Sequence, residues 1–149
     1  MIFMIIKDLK IRNCKDKDYN FVLNLLKKNM YASFIKHWGE WDSKSFKEHF
    51  KKEIIKIVEY KTRRIAFYEL KFKKDCAYIN SIQVTPFMQR KGIGTFLINM
   101  MEKETKKQGL KKINLKVFND NPARKLYRRL GYRIIKKEGT SVILEKMIR

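Results

Sequence analysis

Residues 79–97, with the sequence INSIQVTPFMQRKGIGTFL, hold the types and spacing best suited to chemistry. A strand that ends in a polar, glycine-containing loop opening a helix leaves the backbone N–H groups of Gln89 to Thr95 without intrahelical acceptors. The missing side chains at Gly92 and Gly94 let an anion approach the main chain closely. A pyrophosphate suits such a cradle. Gln89, Arg90 and Lys91 add donors and positive charge, Ile93 stands between the glycines, and Thr95 supplies a hydroxyl. Two other phosphate loops are excluded: no Gly-Lys-Ser/Thr follows at the required gap, and Leu97 stands where the dinucleotide fingerprint needs its third glycine. Taken alone, a Gly-x-Gly before a helix also reads as a tight turn into that helix.

A second stretch, residues 117–132 with the sequence VFNDNPARKLYRRLGY, sets Asn121, Ala123, Leu126 and Tyr127 at the start of a helix and closes on Leu130-Gly131-Tyr132. Together the two stretches resemble the GNAT superfamily of acyl-CoA-dependent N-acetyltransferases. Gln89 to Gly94 matches its [Q/R]-x-x-G-x-[G/A] pyrophosphate loop, and Asn121 to Tyr132 resembles its N-x-A…LYxxLGF element. The matching residues span about 82–132, and the element order agrees over nearly the whole chain. The N-terminal half carries no diagnostic motif.

The resemblance implies acetyl-CoA as cofactor, no metal, and transfer of an acetyl group to a primary amine by direct attack in a ternary complex. By carry-over, Ile82, Gln83 and Val84 receive the pantetheine arm through their backbone, much as an added strand would be received. Gln89, Arg90, Lys91, Gly92, Ile93, Gly94 and Thr95 hold the pyrophosphate. Asn121 and Ala123 lie on the pantetheine side, where Asn119 or Asp120 can share the role of Asn121, which also reads as a helix cap or turn residue. Tyr127 is the expected general acid, because a phenol can donate a proton to the departing thiolate; its other reading is core packing. The oxyanion would meet a strand N–H, that of Val84. Some members carry a Glu on the strand before the loop, but Tyr78, Ile79, Asn80 and Ser81 offer no carboxylate here. Glu69 on the preceding strand is the remaining candidate base, and it reads equally as a solvent-facing residue; His37 reads better as a loop histidine than as a base. The acceptor wall implied by the resemblance falls on Tyr31, Phe34, His37, Trp38, Glu40 and Trp41, which otherwise read as a core cluster between two helices. The acceptor itself, a small molecule or a protein N-terminus or lysine, is not specified.

The elements that must position these residues follow from hydrophobic spacing. Residues 1–12 alternate as a first strand, Asp16 or Asp18 caps a helix over about 16–29, and 30–41 reads as aromatic and irregular. Ser43 or Ser45 begins a short helix, the latter in a capping-box pattern with Glu48. Strands over 54–58 and 64–72 flank the turn Lys61-Thr62-Arg63, and alternation along the second is the period-2 signature of a hairpin. A strand over about 76–84 stops at Pro86, a helix over about 92–108 closes at Gly109, and a strand over 112–118 precedes a helix starting at Pro122. Strands over 132–137 and 141–147 end the chain. The order is that of a mixed α/β sheet rather than a repeating βαβ array. With the resemblance, the expected fold is a single α/β (α+β type) domain over residues 1–149. Its central sheet would be mixed and mostly antiparallel, with about six or seven strands flanked by about four helices and splayed between the fourth and fifth strands.

Composition sets the outer bounds. A chain of 149 residues with 44% hydrophobic content can build a core despite 36 Lys+Arg against 15 Asp+Glu and a net charge of +21. No apolar run reaches the length of a membrane span, and the opening MIFMII lacks the flanks of a signal peptide, which predicts a cytoplasmic protein with no membrane partner, monomer or homodimer. Two distant cysteines and two histidines argue against a zinc site or a disulfide framework. Such a basic chain attracts polyanions. Its lysine pairs are spread along the sequence, however, so a solvated surface is the favoured reading and nucleic acid is a possible but not favoured partner. A non-catalytic basic nucleic-acid-binding module, or an acyl-CoA sensor, is the alternative function on the same fold.

Overall fold

The computed structural model describes residues 2–149, with side chains from Ile5 onward. Helix α1 (Ile2–Lys7) leads into strand β1 (Leu9–Asn13), α2 (Tyr19–Trp38) and α3 (Ser43–His49). Strands β2 (Ile55–Tyr60), β3 (Arg63–Phe72) and β4 (Ala77–Val84) follow, then α4 (Ile93–Lys107), β5 (Lys112–Phe118), α5 (Arg124–Arg129), β6 (Arg133–Glu138) and β7 (Ser141–Met147). The seven strands form one mixed sheet in the order β1-β2-β3-β4-β5-β7-β6. The described pairs are antiparallel except β4 with β5, the parallel pair at which the splay was expected. The expected fold class is therefore the one found, with five α-helices among the described residues.

The chain divides into two compact units, one of residues 1–69 and 81–94, the other of 70–80 and 95–149. In the first, Cys14, Val22, Leu25, Ile55, Ile57 and Phe67 make a buried cluster against which Phe21, Leu26, Phe46, Phe50 and Ile54 pack. Asp18, fully buried, accepts from Arg12 (2.7 and 2.9 Å), Arg64 (3.1 Å) and the Lys15 backbone N–H (2.9 Å). These donors favour its charged form and hold its carboxyl far below the usual carboxylate range, the Arg12 hydrogen bonds most of all. In the second unit the buried side chains include Leu97, Ile98 and Met101 of α4, Ile113, Leu115 and Phe118 of β5, and Val142 and Leu144 of β7.

Several local expectations need correction. The strand expected over 1–12 is a helix to Lys7 and a strand only from Leu9; its first position lies outside the described residues. The segment expected to be irregular from residue 30 continues α2 to Trp38, where Gly39 (φ 79°) ends the helix by donating to Ile35 O. The first helix begins at Tyr19 after a 3-10 turn, with Asp18 spent on the arginines rather than on a cap. Neither serine caps α3: Asp42 does, accepting from the Ser45 N–H at 2.9 Å. The expected hairpin forms, with β2 antiparallel to β3, but both faces of β3 are buried from Ile65 to Leu70.

Candidate functional site

In the first unit, β4 ends at Val84 and Thr85 N donates to Ile65 O (2.8 Å), which fastens the chain as it leaves the strand. Pro86 then sets a 3-10 turn over Pro86–Met88, with Met88 buried as its anchor. Beyond the turn, Arg90 (φ 60°) and Gly92 (φ 83°) are left-handed. Alternation of this kind turns successive N–H groups toward one side. Among the described residues, the N–H groups of Arg90, Lys91 and Gly92 donate to no backbone carbonyl. The first N–H groups of α4 lack intrahelical acceptors by construction. The loop is thus a run of free donors flanked by the exposed side chain of Arg90 and the half-buried Lys91. Ile93 is buried, so only its backbone can face a ligand.

The Gln89 side chain does something the sequence did not suggest: its Nε2 donates to Val84 O (2.9 Å), bracing the loop against the strand it leaves. The same carbonyl accepts from Asn29 Nδ2 (3.0 Å), which also donates to Gln83 Oε1 (3.1 Å). Asn29, unflagged in the sequence, therefore ties α2 to the end of β4. The available signal was an amide inside a helix, where asparagine is a poor helix former and usually has an outside partner. Thr85 Oγ1 is buried and has no hydrogen-bond partner among the described residues. Glu69 is buried rather than solvent-facing, so its reading as an exposed strand residue is corrected, and the structure leaves its role as a base open.

The residues expected to form the acceptor wall, on α2 and the following turn, separate into two groups. Phe34 stacks on Trp38 (4.7 Å between centroids) and on Trp41 (5.4 Å), while Trp41 Nε1 donates to Ser43 Oγ. Trp38 is 62% exposed and Tyr31 47%, so these aromatics are no buried core cluster. Tyr31 instead lies under Lys27 Nζ, and Glu40 is exposed.

In the second unit, β5 runs into a turn in which Asn121 Oδ1 accepts from Ala123 N (2.9 Å). Asn121 thus shapes the entry to α5 and keeps its Nδ2 free to donate; α5 starts two residues later than Pro122 suggested. Tyr127 is 5% exposed and meets Tyr132 edge-on, with centroids 5.7 Å apart. Burial pushes the Tyr127 phenol up to about 12, so it is protonated throughout the neutral range. Tyr132 is itself fixed: its hydroxyl donates to Glu102 (2.8 Å), which also accepts from Lys146 Nζ (2.9 Å). Gly131 makes the bend possible, since a φ of 98° is a backbone conformation that other residues rarely adopt.

Three comparisons bear on these features. A profile described as the Acetyltransferase (GNAT) family matches residues 20–132. Among curated proteins none matches the sequence significantly. Among solved structures, the PaiA N-acetyltransferase of Thermoplasma acidophilum in complex with coenzyme A aligns at TM-score 0.77 and 21% identity, covering 93% of this chain and 98% of that one. The ribosomal-protein-S18-alanine N-acetyltransferase of Escherichia coli aligns at TM-score 0.67 and 20% identity over 94% of each chain. The N-acetylglutamate synthase of Neisseria gonorrhoeae, complexed with coenzyme A and N-acetyl-glutamate, aligns at TM-score 0.74 and 16% identity, covering 95% of this chain and 35% of the synthase. At these identities the solved structures share the fold.

Proposed function

The chain belongs to the Acetyltransferase (GNAT) family, and on that premise we propose that it moves an acetyl group from acetyl-CoA to a primary amine by direct attack in a ternary complex. The observation that carries the reading is the loop of free N–H donors over Arg90 to Gly94, built by the left-handed residues Arg90 and Gly92. It fits a pyrophosphate. Acetyl-CoA supplies the activated thioester. Ile82, Gln83 and Val84 offer backbone groups to the pantetheine arm, with Val84 N–H toward the oxyanion, and Arg90 to Thr95 hold the diphosphate. Gln89, whose N–H donates to Pro86 O and whose side chain donates to Val84 O, braces the loop rather than holding the ligand. Asn121 donates from Nδ2, with Ala123 leaving room beside it. Tyr127 holds its proton on the phenol and gives it to the departing sulfur. Glu69 takes the proton of the amine, and the stacked aromatics of α2 present the acceptor. Those three relatives are an N-acetyltransferase, a ribosomal-protein N-acetyltransferase and an N-acetylglutamate synthase, which supports an amine acceptor without choosing one.

Calorimetry with acetyl-CoA tests the loop. Saturable binding is expected in the unaltered protein, with a loss of more than about tenfold, or about 1.4 kcal/mol, in Gly92→Val and Gly94→Val. Lys107→Ala, which removes a charge from the exposed end of α4, is expected to bind nearly as well. Equal losses in all three would mean that diffuse charge holds the cofactor and would overturn the loop assignment.

A further inference from the structure

The peptide that joins Val84 to Thr85 at the end of β4 uses every hydrogen-bonding group it has inside the protein. Its N–H, on Thr85, donates to Ile65 O of β3 (2.8 Å). Its oxygen, on Val84, accepts from two side-chain amides, Asn29 Nδ2 (3.0 Å) and Gln89 Nε2 (2.9 Å), which fill both lone pairs of a carbonyl. A trans peptide directs its N–H and its C=O to opposite sides, so Val84 O points away from β3. In an extended strand the N–H and C=O of one residue share a side, so Val84 N–H points away from β3 as well. The described pairing of β4 with β5 covers only Ala77 to Ile79, and residues 81–84 have no β5 partner in it. The Asn29 amide is itself held: its second hydrogen goes to Gln83 Oε1 (3.1 Å), and Gln83 Nε2 donates to Ser81 Oγ (3.2 Å).

From this arrangement we propose that Asn29 is a positioning residue for acetyl transfer: by holding Val84 O it aims the Val84 N–H at the oxygen of the reacting thioester, and it closes that carbonyl to the pantetheine arm. The inference rests on the acetyl-transfer reading. When the amine nitrogen adds to the thioester carbon, the C–N bond forms and a carbonyl electron pair moves onto oxygen, where Val84 N–H meets it. The pair returns as the C–S bond breaks and the sulfur leaves with its own electrons. Such a donor acts only at hydrogen-bond distance: its removal typically costs about 10²–10³ in turnover, and a misplacement of about 1 Å can cost about 10². Of the two amides on Val84 O, that of Gln89 belongs to the loop that leaves the strand. Asn29 comes from α2, which Val22 and Leu25 anchor in the core of the same unit. The helix is thus the fixed reference against which the strand end is set. It also carries Phe34 and Trp38, proposed to present the acceptor, so one helix sets both the acceptor and the donor that meets the oxyanion.

Asn29→Leu and Asn29→Asp test the proposal. Leucine removes the donor while favouring the helix, and aspartate sets a carboxylate oxygen against the two oxygens that the amide now bonds. In both variants Gln89 Nε2 still donates to Val84 O, so the fold is expected to survive, which the thermal midpoint checks. Turnover in amine-dependent thiol release from acetyl-CoA is expected to fall at least about tenfold in Asn29→Leu and further in Asn29→Asp, with acetyl-CoA affinity by calorimetry within about twofold, because the phosphate loop is untouched. Asn24→Asp makes the same change of charge at an exposed position of α2 and is expected to keep full turnover. A residue that only supported the fold would leave Asn29→Leu near the original turnover. That result, or a loss of acetyl-CoA affinity as large as the loss of turnover, or equal losses in Asn24→Asp and Asn29→Asp, would overturn the inference alone, since the unaltered protein would still release thiol. Absence of amine-dependent release from the unaltered protein would overturn the acetyl-transfer reading and this inference with it.

Discussion

Tyr127 can be altered with little collateral damage, because phenylalanine keeps the ring against Tyr132 and removes only the phenol. If the phenol protonates the departing sulfur, Tyr127→Phe should lower turnover by about 10²–10⁴-fold while acetyl-CoA affinity and the thermal midpoint stay near their original values. Unchanged turnover under conditions where chemistry is rate-limiting would reduce Tyr127 to a packing residue. The buried phenol also makes a statement about stability. Its folded value is raised from 10 to about 12, so its contribution is complete below pH 10 and is lost as pH rises toward 12. The protein should therefore lose up to about 2–3 kcal/mol across that interval from this group, and the phenylalanine variant should show a flatter alkaline limb in urea unfolding. Asp18 has the opposite sign. Its depressed carboxyl stabilises the fold above the ordinary aspartate range and stops doing so as pH falls below about 4. Asp18→Asn, which leaves Arg12 and Arg64 without their buried partner, should cost about 3–5 kcal/mol at pH 7 and remove much of the acid sensitivity.

At the scale of elements, the hairpin between β2 and β3 offers a stabilising change. Tyr60 pairs with Arg63, so the turn has two central residues, Lys61 (φ 49°) and Thr62 (φ 68°), both left-handed. That backbone favours Asn-Gly, and a β-branched threonine is strained in it. Lys61→Asn/Thr62→Gly should raise stability by about 0.5–2 kcal/mol in urea unfolding, with no change at the loop over 85–92. The same hairpin shows what the sequence made legible. Strands and turns bounded by Gly, Pro or polar residues could be placed, as could the helix after Gly92, because local chemistry dictates them. The C-terminal half of α2 was hidden because its aromatic run obscured helical spacing; Phe34 and Trp38, four residues apart, stack only once the helix forms. Asp42 was overlooked as a cap because Ser45 with Glu48 imitates one. Among site residues, the loop could be found because glycine spacing is a backbone requirement. Asn29 and the Glu102–Tyr132 contact could not, since each joins residues at least thirty positions apart.

For the whole molecule, family membership supports the acyltransferase class, and the seven-stranded sheet is the scaffold on which the site is built. Net charge of +21 favours encounter with anionic partners, so affinities should be compared at fixed ionic strength. The central claim is that this chain transfers acetyl groups to amines. Its most direct test is the rate at which free thiol appears from acetyl-CoA in the presence of a panel of amines spanning polyamines, aminoglycosides, amino acids and peptide N-termini. The account predicts that at least one amine accelerates thiol release in a saturable manner, with a matching mass increase of one acetyl group on that amine and a greatly reduced rate in Tyr127→Phe. Saturable acetyl-CoA binding with no amine-dependent thiol release from any member of the panel would contradict it, and the chain would then be an acyl-CoA sensor.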